Sequence, residues 1–215
     1  IQAPALRSIG NVVTGDDNTT QLVLNMGVLV PLKNLLASTR QNIKKEACWA
    51  ISNITAGTLE QIKMVYDQNI FPILTELVAK GDPKTRREAC WALCNATSFY
   101  ATSPELIKYF VSEGIIPALR SILEELDPKV LKVALDGIEN ILKAGEQEAL
   151  RTENGMNPYA VIFEEERGAD ALWDLQSHDD NEVYLKAKHL VDCFFSEQDG
   201  ELKVDLNASN QEFSF

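Results

Sequence analysis

Trp49 and Asn53 stand four residues apart, and Trp91 and Asn95 repeat the pair 42 residues later. On a helix this spacing puts the two side chains one turn apart on the same face. An indole attracts the cationic head of lysine or arginine and packs along its aliphatic stem. An asparagine amide offers both a donor and an acceptor, which suits pairing with a peptide bond. Glu46 and Glu88 lie one turn before each tryptophan, where a carboxylate neutralises a cationic head. Taken singly, these residues have plainer readings, since a helical tryptophan is ordinarily core and a helical asparagine an unremarkable surface or cap residue. Recurrence of the whole set Glu-x-x-Trp-x-x-x-Asn favours a binding role, because Ala47, Ile51 and Ile54 form a separate apolar stripe that already supplies the core. The pattern suits an extended basic peptide.

Other candidates for chemistry are sparse. Cys48, Cys90, Cys94 and Cys193 sit inside apolar helical patterns, and Cys48 and Cys90 both directly precede a tryptophan. They read as reduced, buried small hydrophobes, which fits a cytosolic or nuclear compartment. Cys90 and Cys94 share a helix face, so a metal or redox site is the weaker alternative; no CxxC is present, and His178 and His189 stand elsewhere. No glycine-rich phosphate loop or nucleophile motif is present, so no enzyme is expected. The glycosylation sequons at Asn18, Asn53, Asn95 and Asn207 are expected to be unmodified in such a compartment.

The elements that position these residues follow from internal repetition. Lys45 to Asn53 reads KEACWAISN and Arg87 to Asn95 reads REACWALCN. Asparagines recur at Asn11, Asn53, Asn95 and Asn140, and the turn residues Gly27, Asn69 and Gly114 keep the same register. A period of about 42 belongs to helical solenoids of the armadillo or HEAT kind. Each unit reads as three helices. In one unit these run from Leu59 to Tyr66, from Phe71 to Val78, and from an Asp82-Pro83 cap to about Ser98; Asp127-Pro128 starts the next third helix in the same way. Residues 145–157 read as an insertion between helices, followed by helices from Pro158 to Glu166, Ala169 to Leu175 and Glu182 to Phe195. No segment alternates with period two, so no sheet is expected and the predicted class is all-α, a solenoid of three-helix repeats. Side-by-side third helices would stand about 8–10 Å apart, close to two or three residues of extended chain at ~3.3 Å each. The first helix has no helices before it, so Leu6, Ile9 and Val13 are expected to be uncovered.

Composition agrees with a folded protein, at 45% hydrophobic and 24% charged residues, and no apolar run approaches the length of a membrane span. The net charge of −12 is unevenly placed: residues 1–144 are neutral, and residues 145–215 carry 17 acidic and 5 basic side chains. A basic protein partner fits that end and nucleic acid does not. Residues 196–215, polar and without periodicity, are expected to be a disordered tail.

Ala5 to Asp17 (ALRSIGNVVTGDD), Ile43 to Trp49, Ser52 to Gly57 (SNITAG) and Leu135 to Leu142 (LDGIENIL) resemble the later repeats of the importin-alpha family of nuclear import adaptors. The resemblance runs from residue 5 to about residue 195. It implies a right-handed superhelical solenoid of three-helix armadillo repeats, in which 1–17 is the end of a sixth repeat, 18–57, 58–100, 101–150 and 151–195 are the seventh to tenth repeats, and a tail follows. By the same resemblance a minor signal-binding site is formed by Arg7, Asn11, Glu46, Trp49, Ser52, Asn53, Glu88, Trp91 and Asn95. The implied partners are cargo bearing basic nuclear localisation signals, importin-beta through a segment absent from this sequence, and an export receptor and nucleoporins through the last repeats. Neither nucleic acid, membrane, cofactor nor metal is implied, and the implied location is cytoplasm and nucleus. Arg7 takes the tryptophan slot of the first rung, where it is expected to pair with an acidic residue or cap the groove. Ser98-Phe99-Tyr100 replaces the family's usual Ser-Gly-Gly, which makes the turn beside Asn95 bulkier. Asp136 replaces a tryptophan before Asn140, so the aromatic ladder stops at Trp91. The competing function is a generic armadillo scaffold of the catenin type, for which basic groove walls rather than Trp/Asn pairs are expected.

Overall fold

The computed structural model describes residues 2–151 and 155–196, which form thirteen α-helices and no strand. After α1 (Gln2–Val12) come four units of three. These are α2 (Asp17–Asn25), α3 (Leu29–Leu36) and α4 (Gln41–Thr55); α5 (Leu59–Asp67), α6 (Phe71–Lys80) and α7 (Pro83–Thr97); α8 (Pro104–Ser112), α9 (Ile115–Ile122) and α10 (Pro128–Ala149); and α11 (Pro158–Glu165), α12 (Gly168–Leu175) and α13 (Asn181–Phe194).

Local chemistry explains the breaks. Asp82 and Asp127 cap α7 and α10, each with proline in the first turn, and Thr58 with Gln61 makes a reciprocal capping box on α5. The first and second helices of each unit are joined by a residue in the left-handed region: Gly27 and Gly114 at φ +80°, Asn69 at +51° and Arg167 at +59°. That conformation closes the helix before it and costs a residue with a Cβ more than glycine, so asparagine is the least costly replacement and Arg167 the more strained one.

One core runs the length of the stack. α1, α4, α7, α10 and α13 pack successively against one another in a row, and α6, α9 and α11 form a second layer behind it. Ala47, Ile51 and Ile54 are fully buried in this core. Basic residues on one third helix tie it to the unit that follows. Arg86 pairs with Glu125 at 2.8 Å and donates to the Ser121 carbonyl at 3.1 Å. Arg87 reaches the cap Asp127, and Lys132 reaches the cap Asp180 at 3.1 Å.

Three expectations need correction. First, residues 145–157 are not wholly an insertion, because α10 continues to Ala149 with Ala144 and Ala149 buried. Gly145 permits this: Asn157 folds back, donates to the Leu142 carbonyl at 2.8 Å and lies where a Cβ on Gly145 would stand. Second, Leu6 and Val13 are 2% exposed and Ile9 is partly buried, since packing of α1 on α4 covers that stripe. The exposed apolar side chains near this end are instead Val12, Leu22, Met26 and Val30. Third, Cys193 is exposed, unlike the other three cysteines. The expected tail at 196–215 lies, beyond Ser196, outside the described residues.

Candidate peptide-binding face

The row of third helices brings Arg7, Glu46 and Trp49 together from α1 and α4. The Arg7 guanidinium lies 4.6 Å from the Trp49 ring centroid and pairs with Glu46 at 3.1 Å. Glu46 is buried and also pairs with Lys45 at 2.8 Å. Burial alone would raise the Glu46 carboxyl, but the hydrogen bonds and charges of Lys45 and Arg7 outweigh it and hold the group below the ordinary carboxylate range. Glu88, at the equivalent position on α7, makes no ion pair among the described residues, and burial pushes its carboxyl up. The two glutamates therefore differ: one is already neutralised by the protein, and the other is half-buried with charge to spare.

Trp49 closes on α1 over Gly10. A Cβ at that position would stand 2.0 Å from the indole, so only glycine allows the approach. Trp91 has the more open ring, at 38% exposed, while Trp49 is partly buried.

Each ladder asparagine donates to the preceding helix. The Asn53 amide reaches the Gly10 carbonyl at 3.3 Å, Asn95 the Ser52 carbonyl at 3.0 Å, and Asn140 the Thr97 hydroxyl at 3.1 Å. One N–H is spent on holding the row together, which leaves the carbonyl oxygen and second N–H of each amide as pairing groups. Asn53 also borders an open cleft with Thr14, Gly15 and Ala56. Ser52 is buried, and its hydroxyl donates to the Trp49 carbonyl, so it supports the rung from beneath. Asn11 is exposed on α1. Beyond Trp91 the row turns ionic, with Lys186 paired to Asp136 and both Lys143 and His189 against Glu139.

Gly10 and Lys45 were not among the residues singled out from the sequence. A signal for Gly10 existed, since a small residue (Gly10, Ser52, Cys94) precedes each of Asn11, Asn53 and Asn95. Nothing in the spacing marks Lys45, whose partner depends on how its side chain lies along α4. Among the described residues no His, Cys, Asp and Glu cluster could hold a metal ion, and no helix is long and apolar enough to cross a membrane.

Residues 16–56, 58–98 and 103–143 match the Armadillo/beta-catenin-like repeat, and residues 157–211 match the Atypical Arm repeat. The chain belongs to the armadillo-repeat family. Within that family it is homologous over nearly all its length to importin subunit alpha. It is 43% identical over 213 residues to Importin subunit alpha-1b of Oryza sativa subsp. japonica, covering 99% of this chain and 40% of the relative. It is 49% identical over 210 residues to Importin subunit alpha-3 of Arabidopsis thaliana, covering 97% of this chain and 39% of the relative. The chain thus spans about two fifths of the length of these relatives. Among solved structures it is similar to a designed armadillo repeat protein in complex with the peptide (KR)4. The TM-score is 0.75 at 29% identity, over 89% of this chain and 74% of that one. Importin-alpha and armadillo-scaffold proteins are adaptors and not enzymes.

Proposed function

We propose that this chain is part of a nuclear import adaptor and binds basic nuclear localisation signals in an extended conformation along its third helices. The observation that carries this reading is the repeated rung, Trp49 with Asn53 and Trp91 with Asn95, on two helices packed side by side. The amide groups left free by the inter-helix bonds pair with the peptide backbone. The exposed Trp91 ring and the unpaired Glu88 receive a cationic side chain, while Arg7 occupies the Trp49 ring and limits the site at that end. The relation to importin subunit alpha and to a designed protein that holds an alternating Lys/Arg peptide supports the same chemistry. The catenin-type scaffold reading is the less favoured one, because Trp/Asn pairs recur on the third helices and Arg86, Arg87 and Lys132 are engaged in ties between units.

The acidic end is the proposed surface for a basic protein partner, with an export receptor and nucleoporins as the implied classes, and importin-beta binding assigned to sequence outside this chain. Shuttling between cytoplasm and nucleus follows from the same reading. Calorimetry with a peptide containing a Lys-Arg pair tests the central claim. Replacing both Trp49 and Trp91 with alanine should remove most of the affinity, given about 0.5–2 kcal/mol for the cation–π contact at Trp91 plus the stem packing lost along the row. Unchanged affinity with the helical circular dichroism intact would falsify it.

A further inference from the structure

The row of third helices carries one more rung. Counted from the cap aspartates, Trp91 and Asn95 fall nine and thirteen residues after Asp82, and Asp136 and Asn140 fall nine and thirteen after Asp127. His189 and Cys193 fall nine and thirteen after Asp180. The register that holds an indole and an amide on α7 therefore holds an imidazole and a thiol on α13, and both are exposed. Cys193 Sγ lies 3.6 Å from Nδ1 and 3.8 Å from Nε2 of His189, within reach of an S–H···N bond. His189 Nε2 in turn lies 3.5 Å from Glu139 Oε1 on α10. The other charges on this stretch are Lys143, paired with Glu139 at 2.6 Å, Lys186, paired with Asp136, and Lys188, paired with Asp192 at 3.4 Å. Cys48 and Cys90 are 0% exposed and Cys94 is 6% exposed, and burial pushes the Cys48 thiol up to about 12. Reagents in solution thus meet one thiol among the described cysteines, and it has a base beside it.

We propose that Cys193, assisted by His189, is a reversible thiol-modification site at the end of the open face, which takes low-molecular-weight disulfides of the glutathione type. The Cys193 proton passes to the His189 imidazole as Sγ attacks one sulfur of the disulfide, and the S–S bond of the reagent breaks. Its second half leaves as a thiolate and takes up that proton, so the disulfide is the oxidant and one mixed disulfide and one free thiol result. Glu139 stands where the imidazolium formed in passing is stabilised. This chemistry is independent of what the tryptophan rungs bind.

The test is incubation of the folded full chain with glutathione disulfide at neutral pH, read by intact mass and peptide mapping. The expected result is one adduct, on Cys193, reversed by dithiothreitol and absent from Cys193→Ser. Its rate should fall about tenfold in His189→Ala, a modest loss for removal of a positioned base. Should that variant lose its fold by circular dichroism, His189→Gln, which keeps a polar side chain but takes no proton, makes the same comparison. An adduct on another cysteine, or an equal rate without the imidazole, overturns the proposal.

Discussion

At the scale of single residues, Glu46 and Glu88 occupy the same register yet do opposite things. Lowered by Lys45 and Arg7, Glu46 contributes stability that is complete above its ordinary value of 4.5 and is lost as the pH falls through its folded value. Raised by burial, Glu88 runs the other way: the folded chain holds its proton more tightly, so its own contribution improves on acidification. A bound cation reverses the preference at Glu88 by favouring the carboxylate. Peptide affinity should therefore weaken as the pH is lowered, beginning at a higher pH than an ordinary glutamate would dictate. Titration calorimetry from neutral to acidic pH checks this, and Glu88→Gln should bind more weakly at neutral pH with the upper part of the pH dependence gone. A variant that keeps the full pH dependence would show that Glu88 does not meet the peptide. Trp49 and Trp91 should also differ, since Trp49 already carries Arg7 and packs on Gly10.

At the scale of helices, the third helices are held in register by asparagine amides, small residues and basic ties. Gly10 is the sharpest instance, because a methyl group there collides with the Trp49 ring. Gly10→Ala should cost about 1–3 kcal/mol of stability, the usual range for overpacking a filled site. It should also weaken peptide binding by displacing Trp49 from the row. Chemical denaturation and calorimetry on the same variant separate the two effects, and an unchanged denaturation midpoint would mean that α1 simply moves away from α4. Much of this level was legible beforehand. The Asp-Pro caps, the 42-residue step and the left-handed turn residues are local signals, set by backbone geometry within a few residues. The extent of α10 was not, because Gly145 reads as a break until Asn157 is seen folded onto it.

At the scale of the whole molecule, charge separates along the sequence. The first 144 residues balance, and all twelve net negative charges lie beyond them. A basic protein partner that docks there should associate at a rate falling steeply with added salt, since exposed charges are screened beyond about 8 Å at physiological ionic strength. Stopped-flow association with a candidate receptor across a salt series decides the point, and a flat series would exclude electrostatic steering. Stability is distributed in the same linear way, each unit leaning on its neighbours through ties such as Arg86 to Glu125 and Lys132 to Asp180.

By itself the sequence determined the class of fold and the register of the Trp/Asn rungs, because a repeated unit stacks on its copies and so converts equal spacing along the chain into alignment in space. It could not determine which rung residues were already spoken for. Arg7 meets Glu46 across 39 positions, Asn95 reaches the Ser52 carbonyl across 43, and His189 meets Glu139 only because α13 packs on α10. Those contacts depend on the lateral offset and rotation of one helix against the next, which side-chain packing sets and residue spacing does not encode.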